Sequence, residues 1–430
     1  MPREPRPRSS APFSGPLNWR CEGVQEVFVG PSRLAGRVTP PPSKSMAHRV
    51  LIGAALAGIS LGELERWGIT GELGGDIQAT RSCLQALLAP GGEPAVLDCR
   101  ESGSTLRFLL PVAAALGRRA LFVGAETLAR RPLRDYVSIL GERGVRLTFP
   151  GEANLPVQVE GRLQAGVFQV PGHITSQYIT GLLLALPLVA GKSTIQLTSP
   201  LQSAPYVELT QAVLAQFGVA VETISQGDGT PAGWRVSGQQ RYRVPQRPVA
   251  LEADFSQGAF WLVAAFLGHG VEVQGLTPQS LQGDRAIVAL LAELAAAAPG
   301  EELRISAAQT PDLVPILAVA ACSRPGVTII EDAQRLRFKE SDRLLSTSAM
   351  LNSLGGSVEV RGGSLFIHGG GQLAGGTVQA QGDHRIAMAA AIAALNSQNG
   401  VRIVGSDAVA KSYPHFFQEL KRLGGDVRGI

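Results

Sequence analysis

Ser102-Gly103-Ser104-Thr105-Leu106-Arg107 opens a run of apolar residues from Phe108 to Leu116 that stops at Gly117. A polar head of small hydroxyls, an apolar body of about three turns and a closing glycine are the start, interior and stop signals of a buried helix. The arrangement recurs behind Ser43-Lys44-Ser45, Thr175-Ser176-Gln177, Phe255-Ser256-Gln257, Thr310-Pro311-Asp312 and Asp383-His384-Arg385. With Lys44, Gly103, Ser176, Ser256, Asp312 and Arg385 as markers, the spacings are 59, 73, 80, 56 and 73. The pair 59, 73 thus returns as 56, 73 after a longer join. Each such helix is expected to lead into a β-branched strand. A second helix, glycine and valine-bearing strand then follows in Tyr136 to Leu147, Leu209 to Val221, Leu345 to Val360 and Phe416 to Val427, with weaker copies at Cys83 to Leu97 and Ala289 to Ile305. Helix, glycine, strand is common in any α/β protein, but six copies with a doubled spacing series argue for duplication. The expected fold is α/β, with two similar domains of three repeated α/β units each. The join falls in residues 225–252, where Gly227, Gly229, Pro231, Pro245 and Pro248 break the pattern.

Composition narrows the function. The 430 residues carry 39 basic and 35 acidic side chains, and 17% charge with 45% hydrophobic content excludes a disordered chain. Residues 1–24 hold four arginines and two glutamates, so the remainder is near neutral and has no stripe fit for nucleic acid. That segment reads as a disordered extension. The longest apolar stretch, Ile179 to Ala190, is interrupted by Pro187 and too short to span a bilayer. Four scattered cysteines without a C-x-x-C pair suit reduced thiols in a cytoplasm, and no metal-ligand cluster forms with the six histidines.

The polar residues sit at the helix starts. A helix amino end presents unpaired N–H groups and a positive dipole, so six such ends facing one interdomain cleft make an anion site. Taken singly, each Ser, Thr or Asp is more readily an N-cap worth about 1 kcal/mol than a ligand, and His384 more readily a structural hydrogen bonder. Lysine usage shifts the weighting. Only Lys44, Lys192, Lys339, Lys411 and Lys421 occur against 34 arginines, so a lysine kept in a polar cluster suggests proton transfer or a compact point charge. Lys44, Lys339 and Lys411 lie in such clusters, whereas Lys192 and Lys421 look ordinary. The densest cluster, Arg335 to Arg343, reads either as a solvated helix start or as a site with Lys339 and Arg343 on one helical face.

Pro42-Ser43-Lys44-Ser45 through Arg49, Gly103 to Phe108, Arg130-Arg131-Pro132-Leu133, Thr175 to Tyr178, Pro311 to Pro315, Arg337 to Arg343, Asp383 to Met388 and Lys411-Ser412-Tyr413-Pro414 resemble, in order, the motifs of the 5-enolpyruvylshikimate-3-phosphate synthase family of enolpyruvyl transferases. The likeness runs from about residue 25 to the end. It implies two domains closing on substrates, 43–252 and 25–42 plus 253–430, and transfer of the enolpyruvyl group of phosphoenolpyruvate to the 5-hydroxyl of shikimate 3-phosphate without metal or organic cofactor. By the same resemblance Asp312 is the base, and Glu340 with Lys44 handles protonation and phosphate departure. Lys44, Ser45, Arg49, Thr175, Ser176, Gln177, Ser203, Asp312 and Lys339 hold shikimate 3-phosphate, with Tyr206 beside its ring. Lys44, Gly103, Arg131, Gln177, Arg343, Arg385 and Lys411 hold phosphoenolpyruvate, and Gly103 leaves room for glyphosate to compete. No nucleic-acid or membrane partner is implied, and a cytoplasmic monomer is expected.

Three places depart from the family pattern: Arg335 and Glu101 stand where asparagine is common, and Arg66 to Asp76 is longer and richer in glycine than usual. The alternatives are the sister transferase acting on UDP-N-acetylglucosamine, a non-catalytic anion-binding module and a fold-mate acting on RNA ends. Ser45 stands where the sister family has asparagine, and the segment from Gly103 to Arg131 lacks its loop cysteine. The near-neutral body and the Asp312, Lys339, Glu340 set argue against the other two.

Overall fold

The computed structural model describes residues 25–67, 74–91 and 93–429. Residues 1–24 and the centre of the connection from Arg66 to Asp76 lie outside the described residues. The six polar-headed runs form helices α1 (Lys44–Leu56), α2 (Gly103–Ala115), α3 (Ser176–Ala185), α4 (Phe255–Phe266), α5 (Val314–Ser323) and α6 (His384–Ala394). Side chains cap five of them: Ser43, Ser102, Thr175, Asp254 and Asp383 each accept an N–H from the first turn. A 3-10 turn at Pro311–Leu313 leads into α5 instead. Every residue of α6 and nearly all of α5 are buried. Helices apolar all round belong in an interior, and only their polar starts can reach water.

Four-stranded sheets cover these helices, and strands such as Val167–Val170 alternate exposed and buried positions as a half-solvated sheet requires. In three sheets the unit is strand, helix, strand, helix, hairpin. The first sheet takes Ala95–Asp98, Ala120–Val123, Val145–Thr148 and Val157–Gly161, with spatial order first, second, fourth, third. The first pair is parallel and the others antiparallel. The sheets built from 167–237 and 303–369 repeat that order and polarity. In the last sheet the hairpin partner comes from the other end of the chain: Glu26–Gly30 inserts between Val401–Val404 and Asp426–Arg428, antiparallel to both. The second helices end on left-handed glycines, for example Gly144 (φ +83) and Gly218 (φ +73).

Two expectations are corrected. Among the described residues α1 leads to no strand, because Ser60 and Glu63 form a capping box that starts a short helix, Leu61–Arg66. The strand after α4, Gly270–Val273, pairs among the described residues only with Ala35–Val38, and four of the six units carry a full sheet. The Gly227–Pro231 cluster is likewise a hairpin turn between Glu222–Ser225 and Pro231–Ser237, which moves the break in the pattern past residue 237.

Two apolar cores result, one from Met46 to Val249 and one from Val27 to Val38 with Phe255 to Val427. The chain crosses between them twice, side by side: Ser43 N donates to Glu252 O (2.7 Å) and Asp254 N to Pro41 O (2.9 Å).

α2 shows how packing sets a functional side chain. Pro111 lacks an N–H, which frees the carbonyl of Arg107 one turn earlier. The buried Tyr136 hydroxyl donates to that carbonyl at 2.7 Å, and Gly181 lets α3 pack close, since a Cβ there would lie 2.4 Å from the same oxygen. Tyr136→Phe strands the carbonyl and is expected to cost about 1–3 kcal/mol, read as a lower urea midpoint. An unchanged midpoint would show the bond to be dispensable.

Candidate functional site

Helix starts from both cores converge on one cleft. Among its lining side chains eight are basic (Lys44, Arg49, Arg107, Arg131, Arg335, Lys339, Arg343, Arg385) and four acidic (Asp76, Asp254, Asp312, Glu340). The excess of positive charge, added to helix N–H groups, suits anionic ligands.

The second core supplies the most heavily charged wall. Asp312 Oδ1 accepts from Arg343 Nη1 (2.6 Å) and Lys339 Nζ (3.1 Å), while Oδ2 lies 3.5 Å from Arg385 Nη2. Burial raises the pKa of Asp312, but Arg385, Lys339 and Arg343 together outweigh it and hold the carboxyl well below the usual range. Glu340 behaves alike: burial raises it, yet Arg343 (2.6 Å) and Arg131 (3.3 Å, from the first core) keep it ionised. Arg343 itself is 1% exposed and is anchored by Asp383, whose Oδ2 accepts from Nε at 2.7 Å. Asp383 also caps α6 through the N–H of Arg385.

The first wall is hydroxyl-rich. Thr175 and Ser176 open α3, Ser45 follows Lys44 in α1, and Gln177 is fixed by Arg107 Nη1 (2.7 Å) and Ser104 Oγ (3.0 Å). Lys44 Nζ is held by Asp76 at 2.8 Å, and its backbone N–H reaches Asp254 Oδ2 at 2.9 Å. Asp254 also caps α4, so one carboxylate serves a helix start from each core. Arg49 lines the cleft but works mainly as a brace, donating to Thr210, Thr180 and the carbonyls of Ser45 and Tyr206, and burial lowers its pKa to about 10.

Of the residues expected in the site, Lys44, Ser45, Arg49, Gly103, Arg131, Thr175, Ser176, Gln177, Ser203, Tyr206, Asp312, Lys339, Glu340, Arg343 and Arg385 line the cleft. Lys411 does not: its Nζ turns to Glu101 Oε2 (2.6 Å) and Gly382 O. Lys339 and Arg343 do not share a helical face either. A 3-10 turn (Gln334–Phe338) precedes Lys339, and Arg343 begins the next helix, Arg343–Ser353, so they meet at Asp312 instead. Sequence reasoning passed over Asp76, Asp254 and Gln257. Asp254 carried the visible signal of an acid just before a polar-headed helix, whereas Asp76 lay in an unpatterned connection. Arg335, noted in the densest cluster and as a departure from the family pattern, donates to Ser203 Oγ across the cleft (2.6 Å) and to Ala308 O on its own side (2.7 Å). His384 is buried with neither ring nitrogen hydrogen-bonded, and burial, Lys44 and Arg385 keep it neutral.

Comparison with known proteins identifies the family. The family profile described as EPSP synthase (3-phosphoshikimate 1-carboxyvinyltransferase) matches residues 29–420. A 3-phosphoshikimate 1-carboxyvinyltransferase from Clostridium acetobutylicum is 39% identical, with 93% of this chain and 98% of that protein covered. One from Clostridium kluyveri is 38% identical, with 94% and 98% covered. Among solved structures, an EPSP synthase from Acinetobacter baumannii superposes with a TM-score of 0.71 at 22% identity, covering 94% of this chain and all of that one, which speaks to the fold.

Behind the cleft, Asp284 takes a hydrogen bond from Ser256, and Tyr206 OH lies 3.5 Å from its Oδ2. Burial, then the charge of Asp312, pushes Asp284 up to about 6. Its folded pKa lies above the unfolded value, so the native state binds this proton more tightly, and stability falls as pH rises through about 6. Asp284→Asn removes that loss and is expected to gain about 1–2 kcal/mol relative to the parent between pH 5 and pH 8. Urea midpoints at the two pH values check this, and a pH-independent difference would contradict it.

Proposed function

Because this chain belongs to the EPSP synthase family, it transfers the enolpyruvyl group of phosphoenolpyruvate to the 5-hydroxyl of shikimate 3-phosphate and releases phosphate, and we propose how its residues divide that work. It is a transferase of aromatic amino-acid biosynthesis. The two domains are residues 43–252 and residues 25–42 with 253–430. Shikimate 3-phosphate lies between the hydroxyls of Ser45, Thr175, Ser176 and Ser203 and the cations Lys44, Arg49 and Lys339, with Gln177 and Tyr206 against it and its 5-hydroxyl at Asp312. Phosphoenolpyruvate lies against Lys44, Arg131, Gln177, Arg343 and Arg385, joined by Lys411 once its ammonium leaves Glu101, with its approach to the backbone left open by Gly103.

The observation that carries this reading is the clamp of Lys339, Arg343 and Arg385 on one carboxylate, Asp312. A carboxylate so held is ionised but weakly basic. When anionic groups of the substrates engage the same cations, the hold on Asp312 loosens and its basicity rises toward that of a working general base. Asp312 then takes the hydroxyl proton as the oxygen attacks C2 of phosphoenolpyruvate, and C3 gains a proton to give the tetrahedral intermediate. Loss of a C3 proton with departure of phosphate completes the transfer. We assign Lys44, whose Nζ is held in the cleft by Asp76, as the proton donor, since Glu340 is ionised by Arg343 and Arg131. Glu340 can act as an acid only after those guanidiniums move to the ligand.

The cleft draws both walls from one chain, which supports a monomer. Buried, free Cys83, Cys99 and Cys322 support a cytoplasmic setting.

Phosphate release from phosphoenolpyruvate is expected with shikimate 3-phosphate and not with UDP-N-acetylglucosamine. Asp312→Asn and Lys44→Met should each lower kcat by about 10²–10⁴-fold with unchanged circular dichroism. Full activity in either variant removes its assigned role. In the same assay glyphosate should raise the apparent KM for phosphoenolpyruvate, and insensitivity would contradict the space assigned beside Gly103.

A further inference from the structure

Glu101 lies two residues upstream of Gly103, just before the cap of α2, and its side chain reaches a lysine of the second core. One oxygen, Oε2, is 2.6 Å from Lys411 Nζ of the second core, and the other accepts from Thr127 Oγ1 at 3.1 Å. Lys411 is held in place from behind: Gly74 packs so close that a Cβ there would lie 2.6 Å from the Lys411 carbonyl. The ammonium also donates to Gly382 O. The paired side chains are 17% and 33% exposed, so the pair is only partly screened by water.

An ammonium is a compact point charge, and an anion arriving at Lys411 meets a carboxylate already bound there. We infer that Glu101 is a built-in competitor for Lys411 that sets the affinity of the cleft for phosphoenolpyruvate. This rests on the proposed role of Lys411 as a phosphoenolpyruvate cation. When phosphoenolpyruvate binds, its anionic groups displace Glu101 from the ammonium, and the cost of parting that pair is subtracted from the binding free energy. The carboxylate also repels the ligand directly. Glu101 is a specificity-determining residue and touches no reacting atom.

Glu101→Gln keeps the shape, with the amide oxygen facing Lys411 and the amide nitrogen donating to Thr127 Oγ1, while removing the charge. At saturating shikimate 3-phosphate it is expected to lower KM for phosphoenolpyruvate by about three- to tenfold without raising kcat. Glu101→Asp, which keeps the charge, should stay near the parent. A plain structural latch between the domains would instead raise KM for both substrates when weakened, and that outcome, or an unchanged KM, overturns the inference. Lys411→Met separates the two layers of the argument. If it raises KM for phosphoenolpyruvate while Glu101→Gln has no effect, only the competitor role fails. If Lys411→Met leaves KM unchanged, the site assignment of Lys411 fails and the competitor role falls with it. In the double variant the gain from Glu101→Gln should disappear.

Discussion

Much of the site depends on one buried cation. Arg343 is 1% exposed, and a guanidinium taken so far from water costs several kcal/mol unless fully compensated. Its compensation comes from Asp383, Asp312 and Glu340, carried on three separate segments. Satisfying Arg343 therefore fixes the turn bearing the base, the segment bearing Glu340 and the cap of α6 together. Glu340 extends the network to Arg131, so the charge balance of the second core is tied to the first. A site built this way is preorganised for anions, because its cations are already desolvated and aimed.

That same economy restrains the chemistry. Three cations on Asp312 keep it ionised and unreactive, and the groups that suppress it are those an anionic ligand would take up. Asp284, one layer behind, is pushed the other way by burial and by the charge of Asp312. Environments that drive nearby carboxyls apart in pKa are characteristic of acid–base sites.

The helix starts were legible in the sequence because capping and apolar length are local signals: all six polar-headed helices lie where Ser43, Ser102, Thr175, Phe255, Thr310 and Asp383 place them. Strand pairing was not legible. Nothing near Glu26 announces that it completes a sheet with Val404, because register across that separation is set by tertiary packing. The strand absent after α1 was hidden for a local reason, the Ser60–Glu63 capping box. Side-chain partners in and between the two domains were least legible: Asp76 on Lys44, Ser203 on Arg335 and Glu101 on Lys411 join residues 32 to more than 300 positions apart. The lysine shortage marked three positions, and two of them, Lys44 and Lys339, line the cleft. The third was turned aside by a glutamate at a position that motif reading could flag but not interpret.

The central claim is that the cleft cations hold Asp312 back until a ligand engages them. Isotope-edited infrared titration of aspartate carboxyls, with Asp312→Asn as the subtraction reference, measures this directly. In the free protein Asp312 should remain ionised well below the usual carboxylate range. With saturating phosphoenolpyruvate its titration should move upward, because the cations that hold it turn to the ligand. A titration that stays in place, or moves down, would contradict the account.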